Sequence, residues 1–352
     1  MASDDAAVAA PVSADVRADV GALPDIGRRE AGGWPVPAAI ALVLAALPFM
    51  ISSYGLDLVL RIAISAVFAL SLELLVGATG LVSLGHAAFL GIGAYATVLA
   101  SGDSGASPLL LVPLAMGAAA AYAVVVGALS LRTRGVYFIM VTLAFAQMAY
   151  FIFHDTKIGG GSDGIYLNVK PVVDGLLDLK DRNAFYGFAL GALAVTYGVL
   201  AALLRSRFGH ALAGIRVNEQ RMRAAGFRTY GYKLAAFVLA GALAGLAGFL
   251  IAVRDGFVNP EMLAWQESGT VLLMLILGGL GHLRGAVLGA IVFTLLKELY
   301  ASEGLVGSLA GHWQLTLGLT IIAFVATMPK GLIGLPAQLR RKPRAVEIGD
   351  DD

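Results

Sequence analysis

Apolar runs of about twenty residues repeat along most of the chain, with short polar segments between them. The hydrocarbon core of a bilayer is roughly 30 Å thick, and an α-helix needs about 20 apolar residues to cross it. Hydrophobic residues make up 58% of the 352 residues and charged residues only 14%, which is unlike an ordinary soluble domain. The runs therefore predict an all-α protein, a polytopic membrane helical bundle with little sequence left for a soluble domain.

The apolar runs predict about ten transmembrane helices, some of them short or interrupted. Residues 1–33 lack the apolar core of a signal peptide, and we expect them to form a disordered cytoplasmic tail. Residues 34–335 would form the transmembrane domain, and residues 336–352 a second cytoplasmic tail. The spans lie near 36–53, 56–76, 80–100, 108–131, 135–153, 185–204, 233–253, 268–281, 285–298 and 312–329.

Lys and Arg are concentrated on one side of these spans. With the N-terminus inside, the inner segments carry eighteen of them and the outer loops five, while Arg61 and Lys297 lie within or at the ends of spans. Cytoplasmic loops carry the basic excess in membrane proteins, so we expect both termini to be cytoplasmic. Joining 268–298 into one helix would put Lys330 and the cluster Arg340–Lys342 outside, which favours two short helices interrupted at Gly281–Gly285.

Two loops are longer than the connections between spans require. The periplasmic loop 154–184 contains five Asp, four basic residues and the glycine-rich run Gly159–Gly164. The cytoplasmic loop 205–232 is basic, and Glu219 is its only acidic residue. A solvated surface loop and a positive-inside anchor are the simpler interpretations, but nearly thirty residues exceed what either needs.

Residues with catalytic potential are almost missing from this sequence. The chain has no Cys, which excludes disulfides and thiolate metal sites. It also has no H-E-x-x-H motif and no metal-ligand cluster. The glycine strings at 91–93 and 278–285 neither follow a strand nor lead into Gly-Lys-Ser/Thr. We expect no enzymatic activity, no bound cofactor, no metal site and no ATP hydrolysis by this chain itself.

Few ionisable residues occur within the predicted spans. Glu73 lies about a turn from the cytoplasmic end of its helix and Arg61 near the outer end, so both are expected to reach water. Ion-coupled carriers usually keep carboxylates at mid-membrane, and structural roles are therefore favoured for both residues. Energy for directed transport would then come from a partner.

The stretch 80–95 combines four glycines with Ser83, His86 and Tyr95. It is compatible with a broken helix whose polar side chains line a hydrated cavity, and equally with a tightly packed helix whose histidine donates to a carbonyl. Gly241, Gly245 and Gly248 instead form a small-xxx-small face, for which close helix packing is favoured.

Residues 216–226 are the best candidate for a docking element. The segment predicts one short helix of about three turns that ends at Gly226. It lies between the spans 185–204 and 233–253, so a cytosolic partner bound to it would transmit force directly into both.

Five motifs in order make the chain resemble the M-type permeases of ABC importers for branched-chain amino acids. They are the stretch 80–95, Arg134–Phe138 with Thr142–Phe145, Gly160–Gly164, Arg216–Glu219 continuing through Gly226 to Leu234, and Gly278–Gly281 with Gly285–Gly289. Together they cover about residues 60–330. Glu73 stands where the family pattern favours Asn, and Gly159 where it often has Thr.

The resemblance implies a permease subunit that forms the translocation pathway for branched-chain, hydrophobic amino acids in a bacterial inner membrane. Its partners would be a second, H-type permease, two cytoplasmic ATPase subunits that bind ATP and Mg, a periplasmic solute-binding protein and the lipid bilayer, with no nucleic acid. The predicted pathway residues are Ser83, Gly85, His86, Gly91, Gly93, Tyr95, Gly160, Gly161, Ser162 and Asp163. The predicted ATPase-coupling residues are Arg216, Asn218, Glu219, Arg223, Ala225 and Gly226.

Other functions remain open at this point. Related permeases carry urea, short amides, other hydrophobic or aromatic amino acids, or small organic acids. A different class, an ion-coupled secondary carrier or channel, would transport alone and depend on Glu73 or His86. A noncatalytic membrane scaffold would show no transport.

Overall fold

The computed structural model describes residues 52–102, 107–173, 177–302, 311–328 and 331–334. Both predicted cytoplasmic tails and almost all of the first predicted span, 36–53, lie outside these residues. The regular structure of the described chain is overwhelmingly helical. Its helices are α1 (Ser53–Thr79), α2 (His86–Ser101), α3 (Pro108–Ser130), α4 (Val136–Asp155), α5 (Arg182–Arg205), α6 (Arg207–Val217), α7 (Glu219–Ala224), α8 (Thr229–Asp255), α9 (Trp265–Gly278), α10 (Leu283–Ala301) and α11 (Trp313–Thr327).

Several of these helices are long and apolar enough to cross a bilayer. Within the described residues they are α1, α3, α4, α5, α8 and the segment that starts at Trp313. Helices α9 and α10 form a pair bent by 113°, and α2 is a shorter apolar helix of 16 residues. The chain is therefore an all-α, multi-pass membrane protein, while the total of about ten spans and the orientation stay predictions.

Four two-residue strands lie in the connections between helices. Strand β1 (Ile165–Tyr166) pairs antiparallel with β4 (Phe257–Val258), with Ile165 opposite Val258, and β2 (Val172–Val173) pairs with β3 (Leu177–Asp178). We call the end of the bundle formed by residues 155–173, 177–182 and 256–259 the loop end. The opposite end, formed by residues 131–135, 205–228 and 279–282, is called the basic end.

Helices α1 and α8 lie at the centre of the bundle. Most of each is buried, and α8 packs against α1, α2 and α3. Helices α3 and α4 expose large apolar side chains such as Leu109 and Met140, as expected for surfaces that face lipid or a partner helix. The core of the described residues is thus a closely packed set of helices around α1 and α8.

Glycines bring the backbones of α2 and α8 into direct contact. A Cβ atom added to Gly93 would lie 2.5 Å from the Cα and carbonyl oxygen of Gly245, and one added to Gly248 would collide with the carbonyl oxygen of Leu90. Lipid tails are as apolar as Leu, so membrane helices gain their association energy from such close packing. The predicted packing role of the small-residue face on α8 is confirmed.

The structure contains two interruptions in the helical backbone, one at the start of a predicted span and one between two predicted spans. The span expected at 80–100 becomes helical only at His86, because Gly80 ends α1 in a left-handed conformation with φ of 74° and residues 80–85 stay outside any helix. The break predicted between 281 and 285 is present, between Gly278 and Leu283. Both interruptions matter for the site described below.

Replacing Gly93 with Ala should destabilise the folded protein by about 1–3 kcal/mol, the cost of overpacking a tight core. The obstructing atoms belong to the backbone of α8 and have no rotamer to move to. Thermal unfolding of the purified protein in mild detergent measures this effect. Gly198→Ala on α5 is the matched control, because nothing lies within 4 Å of its new methyl group. An equal effect of the two substitutions would contradict the packing account.

Candidate functional site

Helices α2 and α9 both begin inside the bundle. Near the start of α2, the N–H of Ala87 donates to Oγ of Ser268 on α9 at 2.8 Å, and Nε2 of His86 lies 2.8 Å from Oγ of Ser71 on α1. Ser71 precedes the end of α1 by eight residues, about 12 Å at 1.5 Å per residue. From this interior point α2 runs towards the loop end and α9 towards the basic end.

A cluster of fully buried polar side chains surrounds this meeting point. It consists of Ser71, Ser83, His86, Thr142 and Ser268, each with zero exposure. The imidazole of His86 stacks on Phe68 with ring centroids 5.4 Å apart, and Phe89 meets it edge-on. Its Nδ1 atom has no hydrogen-bond partner among the described residues. Polar groups at this depth are costly in a membrane protein, which makes the cluster a functional candidate.

The predicted pathway residues on and before α2 are all packed against neighbouring elements. Ser83, His86 and Tyr95 are buried, Gly91 abuts Leu263, and the ring of Tyr95 stacks on Phe153 at 4.3 Å. Gly85 approaches the carbonyl of Thr142, and Gly93 the backbone of Gly245. The structure thus combines the two sequence interpretations, because the segment is broken at 80–85 but its polar groups are tightly packed. Their part in a pathway stays a prediction.

The other four predicted pathway residues lie at the loop end. Gly160 and Gly161 both have positive φ, and an added Cβ on Gly160 would collide with the carbonyl oxygen of Gly164. Ser162 donates to Asp163 at 3.2 Å. These residues form the turns that lead from α4 to β1, and the structure does not bring them to the start of α2.

The prediction of one helix over residues 216–226 is wrong. Helix α6 ends at Val217, Asn218 is extended with φ of −157°, and the six-residue α7 begins at Glu219. The break has a local cause, because Oδ1 of Asn218 accepts the N–H of Arg221 at 2.9 Å and caps α7. Gly226, with φ of 87°, follows the end of α7 as predicted.

Glu219 holds α7 against the start of α8. Its carboxylate accepts hydrogen bonds from Lys233 at 2.6 Å, Arg223 at 2.6 Å and Thr229 at 3.1 Å. Partial burial acts to raise the pKa of Glu219, but the hydrogen bonds and the charge of Lys233, with Arg223 and Thr229, outweigh it and lower the pKa to about 2. Glu219 is therefore turned towards its own chain. Within residues 216–226 only Glu219 and Met222 are partly buried, and the exposed residues include Gln220, Arg221, Ala224, Ala225 and Gly226.

Glu73 is buried, contrary to the expectation that it reaches water. It is only 3% exposed, and its Oε1 atom accepts the N–H of Gly281 at 2.7 Å. The carboxylate folds over Gly77, where an added Cβ would collide with it. Glu73 thereby joins α1 to the break between α9 and α10. Arg61, as expected, is exposed.

Arg216 connects the basic loop to the end of α1, next to Glu73. Its guanidinium donates to the carbonyl of Gly77, one turn beyond Glu73 on α1. A Cβ atom added to Gly281 would lie 3.6 Å from Nη1 of Arg216. The end of α6, the end of α1 and the α9–α10 break therefore meet around one buried carboxylate and one guanidinium.

Sequence reasoning missed several residues of this site. Ser71, Gly77 and Ser268 carry no local signal, because each acquires its role from a residue far away in the chain. Lys233 belongs to the motif shared with the permease family, but the partner of its charge was not evident from the sequence. Arg216, predicted as a coupling residue, is turned inward to Gly77.

Comparison with known proteins gives one consistent result. The sequence model of the family described as branched-chain amino acid transport system, permease component, matches residues 54–325. The high-affinity branched-chain amino acid transport system permease protein LivM of Escherichia coli K12 is 32% identical over 333 residues, which cover 88% of this chain and 77% of that protein. LivM of Salmonella typhimurium is 31% identical over 318 residues, covering 84% of this chain and 73% of that protein.

More distant relatives match a shorter region. The autoinducer 2 import system permease protein LsrC of Escherichia coli O9:H4 is 29% identical over 147 residues, which cover 37% of this chain and 43% of LsrC. No solved structure is significantly similar to this chain.

The Glu219 cluster predicts a specific pH dependence. A carboxyl group whose pKa is about 2 in the folded protein and about 4.3 in an unfolded chain stabilises the fold fully above pH 4.3, and loses that contribution as the pH falls through 2. Glu219→Gln should lower the unfolding temperature at pH 7, and the difference from the wild type should shrink between about pH 4.3 and 2. Thermal unfolding in detergent across this range measures it, and a difference that does not change with pH would contradict the assignment.

Proposed function

The chain belongs to the permease components of branched-chain amino acid transport systems, and on that premise we propose that it forms the translocation pathway for branched-chain amino acids as one permease subunit of an ABC importer in a bacterial inner membrane. The family match over residues 54–325 is the observation that carries the proposal. The multi-pass helical fold and the buried polar cluster at the meeting point of α2 and α9 support it.

The basic end is the cytoplasmic end in this proposal. It carries Arg132, Arg134 and the six basic residues from Arg205 to Arg228, and such an excess marks the cytoplasmic side of membrane proteins. The run at 36–53 then supplies the first of about ten spans, with both termini in the cytoplasm. The loop end faces the periplasm, where a solute-binding protein would deliver the amino acid.

Two cytoplasmic ATPase subunits are proposed to dock on the basic end, and an H-type permease beside this chain. The exposed residues around Arg221 and Gly226 are accessible to a partner. Behind them, Glu219 holds α7 to α8, while Arg216 ties α6 to α1. Docking on this segment would therefore move two central helices and not a loose loop.

The proposed coupling path continues from the basic end to the interior. Arg216 contacts Gly77 on α1, and Glu73 on the same helix end holds the amide of Gly281 at the α9–α10 break. Helix α9 begins at the interior cluster, where Ser268 accepts the amide of Ala87. Closure of the ATPases would displace α6 and α7, shift α9 through Glu73 and Gly281, and loosen the start of α2.

An ion-coupled carrier is less well supported. Glu73, the carboxylate such a carrier would use, is engaged by the backbone amide of Gly281 and covered by Gly77 and Arg216. His86 is held between Ser71 and two phenylalanine rings. Directed transport is therefore assigned to ATP hydrolysis in the partner subunits.

ATP hydrolysis by the assembled complex in lipid tests this function. The complex combines the full-length chain with its co-encoded second permease, ATPases and binding protein. We expect stimulation by the binding protein with leucine and none by the binding protein without ligand. Stimulation by urea and not by leucine would identify urea as the substrate of the same mechanism. Uptake by this chain alone, dependent on an ion gradient, would overturn the mechanism.

Glu219→Lys should lower leucine-stimulated ATP hydrolysis several-fold, because a third cation beside Lys233 and Arg223 would release α7 from α8. Gln220→Lys is the matched control, since it adds a positive charge at the exposed neighbouring position without touching the cluster. Both variants are first checked for membrane insertion and complex assembly. Equal ATPase activity of the two assembled complexes would contradict a role for Glu219 in coupling.

A further inference from the structure

A cavity of about 520 Å³ opens at the loop end of the bundle, between the start of α1, the start of α5 and the end of α8. Five cationic side chains line it: Arg61, Lys170, Lys180, Arg182 and Arg254. They come from three helices and from the connection between α4 and α5. The cavity is separate from the buried cluster at the start of α2 and from the basic end.

This concentration of charge runs against the expected distribution. The proposed periplasmic side has only five Lys and Arg residues in its loops, and four of them line this one cavity together with Arg61 from within α1. Only Lys157 lies elsewhere. Basic residues are normally scarce on that side, so their convergence on a single cavity favours a site for an anionic ligand.

The carboxylates of the cavity leave an excess of positive charge. Asp57 lies 3.4 Å from Arg182, and Asp255 lies 2.8 Å from Arg254. These are the acidic residues among the described lining side chains, and each of them pairs with an arginine. Arg61 and Lys170 form no ion pair within the described part of the chain. A zwitterionic ligand has no net charge and would leave the positive charge of Arg61 and Lys170 uncompensated. An anionic ligand would neutralise part of that charge.

The depth of the cavity favours a lipid phosphate. Its walls are the ends of membrane-spanning helices, the level at which phospholipid headgroups lie. Arg61 follows the first residue of α1 by eight positions, about 12 Å along the helix, and places a guanidinium just below that level. Guanidinium groups match phosphate oxygens with paired hydrogen bonds, and Leu60, Leu179 and Phe185 offer apolar contact below.

We propose that this cavity binds a phosphate group, supplied by an anionic phospholipid headgroup or by free phosphate. Basic pockets between membrane helices bind phospholipid headgroups by the same chemistry. The bound phosphate would hold the ends of α1, α5 and α8 together at the proposed periplasmic face. This inference rests on the proposed function only where it places the cavity on the periplasmic side of the membrane. The choice of ligand does not depend on it.

Native mass spectrometry of the full-length protein in detergent tests the site. Phosphatidylglycerol, phosphatidylcholine, inorganic phosphate and leucine are offered separately to the wild type. We expect phosphatidylglycerol or inorganic phosphate to be retained in preference to phosphatidylcholine and leucine. Retention of phosphatidylglycerol alone identifies a lipid as the source, and equal retention of inorganic phosphate identifies a free anion. Preference for leucine, or equal retention of phosphatidylcholine and phosphatidylglycerol, would overturn the proposal.

Single substitutions distinguish phosphate binding in this cavity from a general effect of surface charge. Arg61→Gln and, independently, Lys170→Gln should each weaken phosphate binding about fivefold, as expected for one cation near a lipid surface. Lys157→Gln removes a cation from the same end of the bundle but outside the cavity, and should bind as the wild type does. Equal losses in all three variants would contradict the site. Because no ATPase is present, failure here leaves the transport function untouched.

Discussion

A main-chain N–H or C=O group inside a membrane protein must find a hydrogen-bond partner, because no water is available in the hydrocarbon region. Continuous helices meet this requirement internally, but this chain interrupts its helices before α2 and between α9 and α10. Side chains from distant parts of the sequence supply the missing partners. Ser268 accepts the amide of Ala87, Glu73 accepts the amide of Gly281, and Arg216 donates to the carbonyl of Gly77. The interruptions are thereby made stable, and each one is tied to another element.

The same hydrogen bonds explain how an event at the surface can reach the interior. Arg216 belongs to α6 in the basic loop, Glu73 to the central helix α1 and Ser268 to α9, and their contacts follow one another from the basic end to the middle of the bundle. Each link joins rigid helices, so a displacement of the basic loop moves whole elements. Close packing through Gly93 and Gly245 keeps α2 and α8 together during such a movement.

Local sequence patterns were sufficient for the class of fold and the family. The apolar runs, the break after Gly278 and the small-residue face of α8 depend on neighbouring residues, and the structure confirms them. The prediction for residues 216–226 failed because Asn218 caps α7 with its side chain, a local competition that helix periodicity does not reveal. The burial of Glu73 could not be predicted either, since its partner Gly281 is 208 residues away. The roles of Ser71 and Ser268 likewise depend on long-range contacts.

The central claim is that Glu73 and Arg216 act as one unit that links the basic loop to the α9–α10 break. A double-mutant cycle with Glu73→Gln and Arg216→Gln, measured as leucine transported per ATP hydrolysed in the reconstituted complex, tests it most directly. If the two residues form one unit, each single substitution lowers the ratio and the double variant is no worse than the more severe single one. Losses that add independently would contradict the claim.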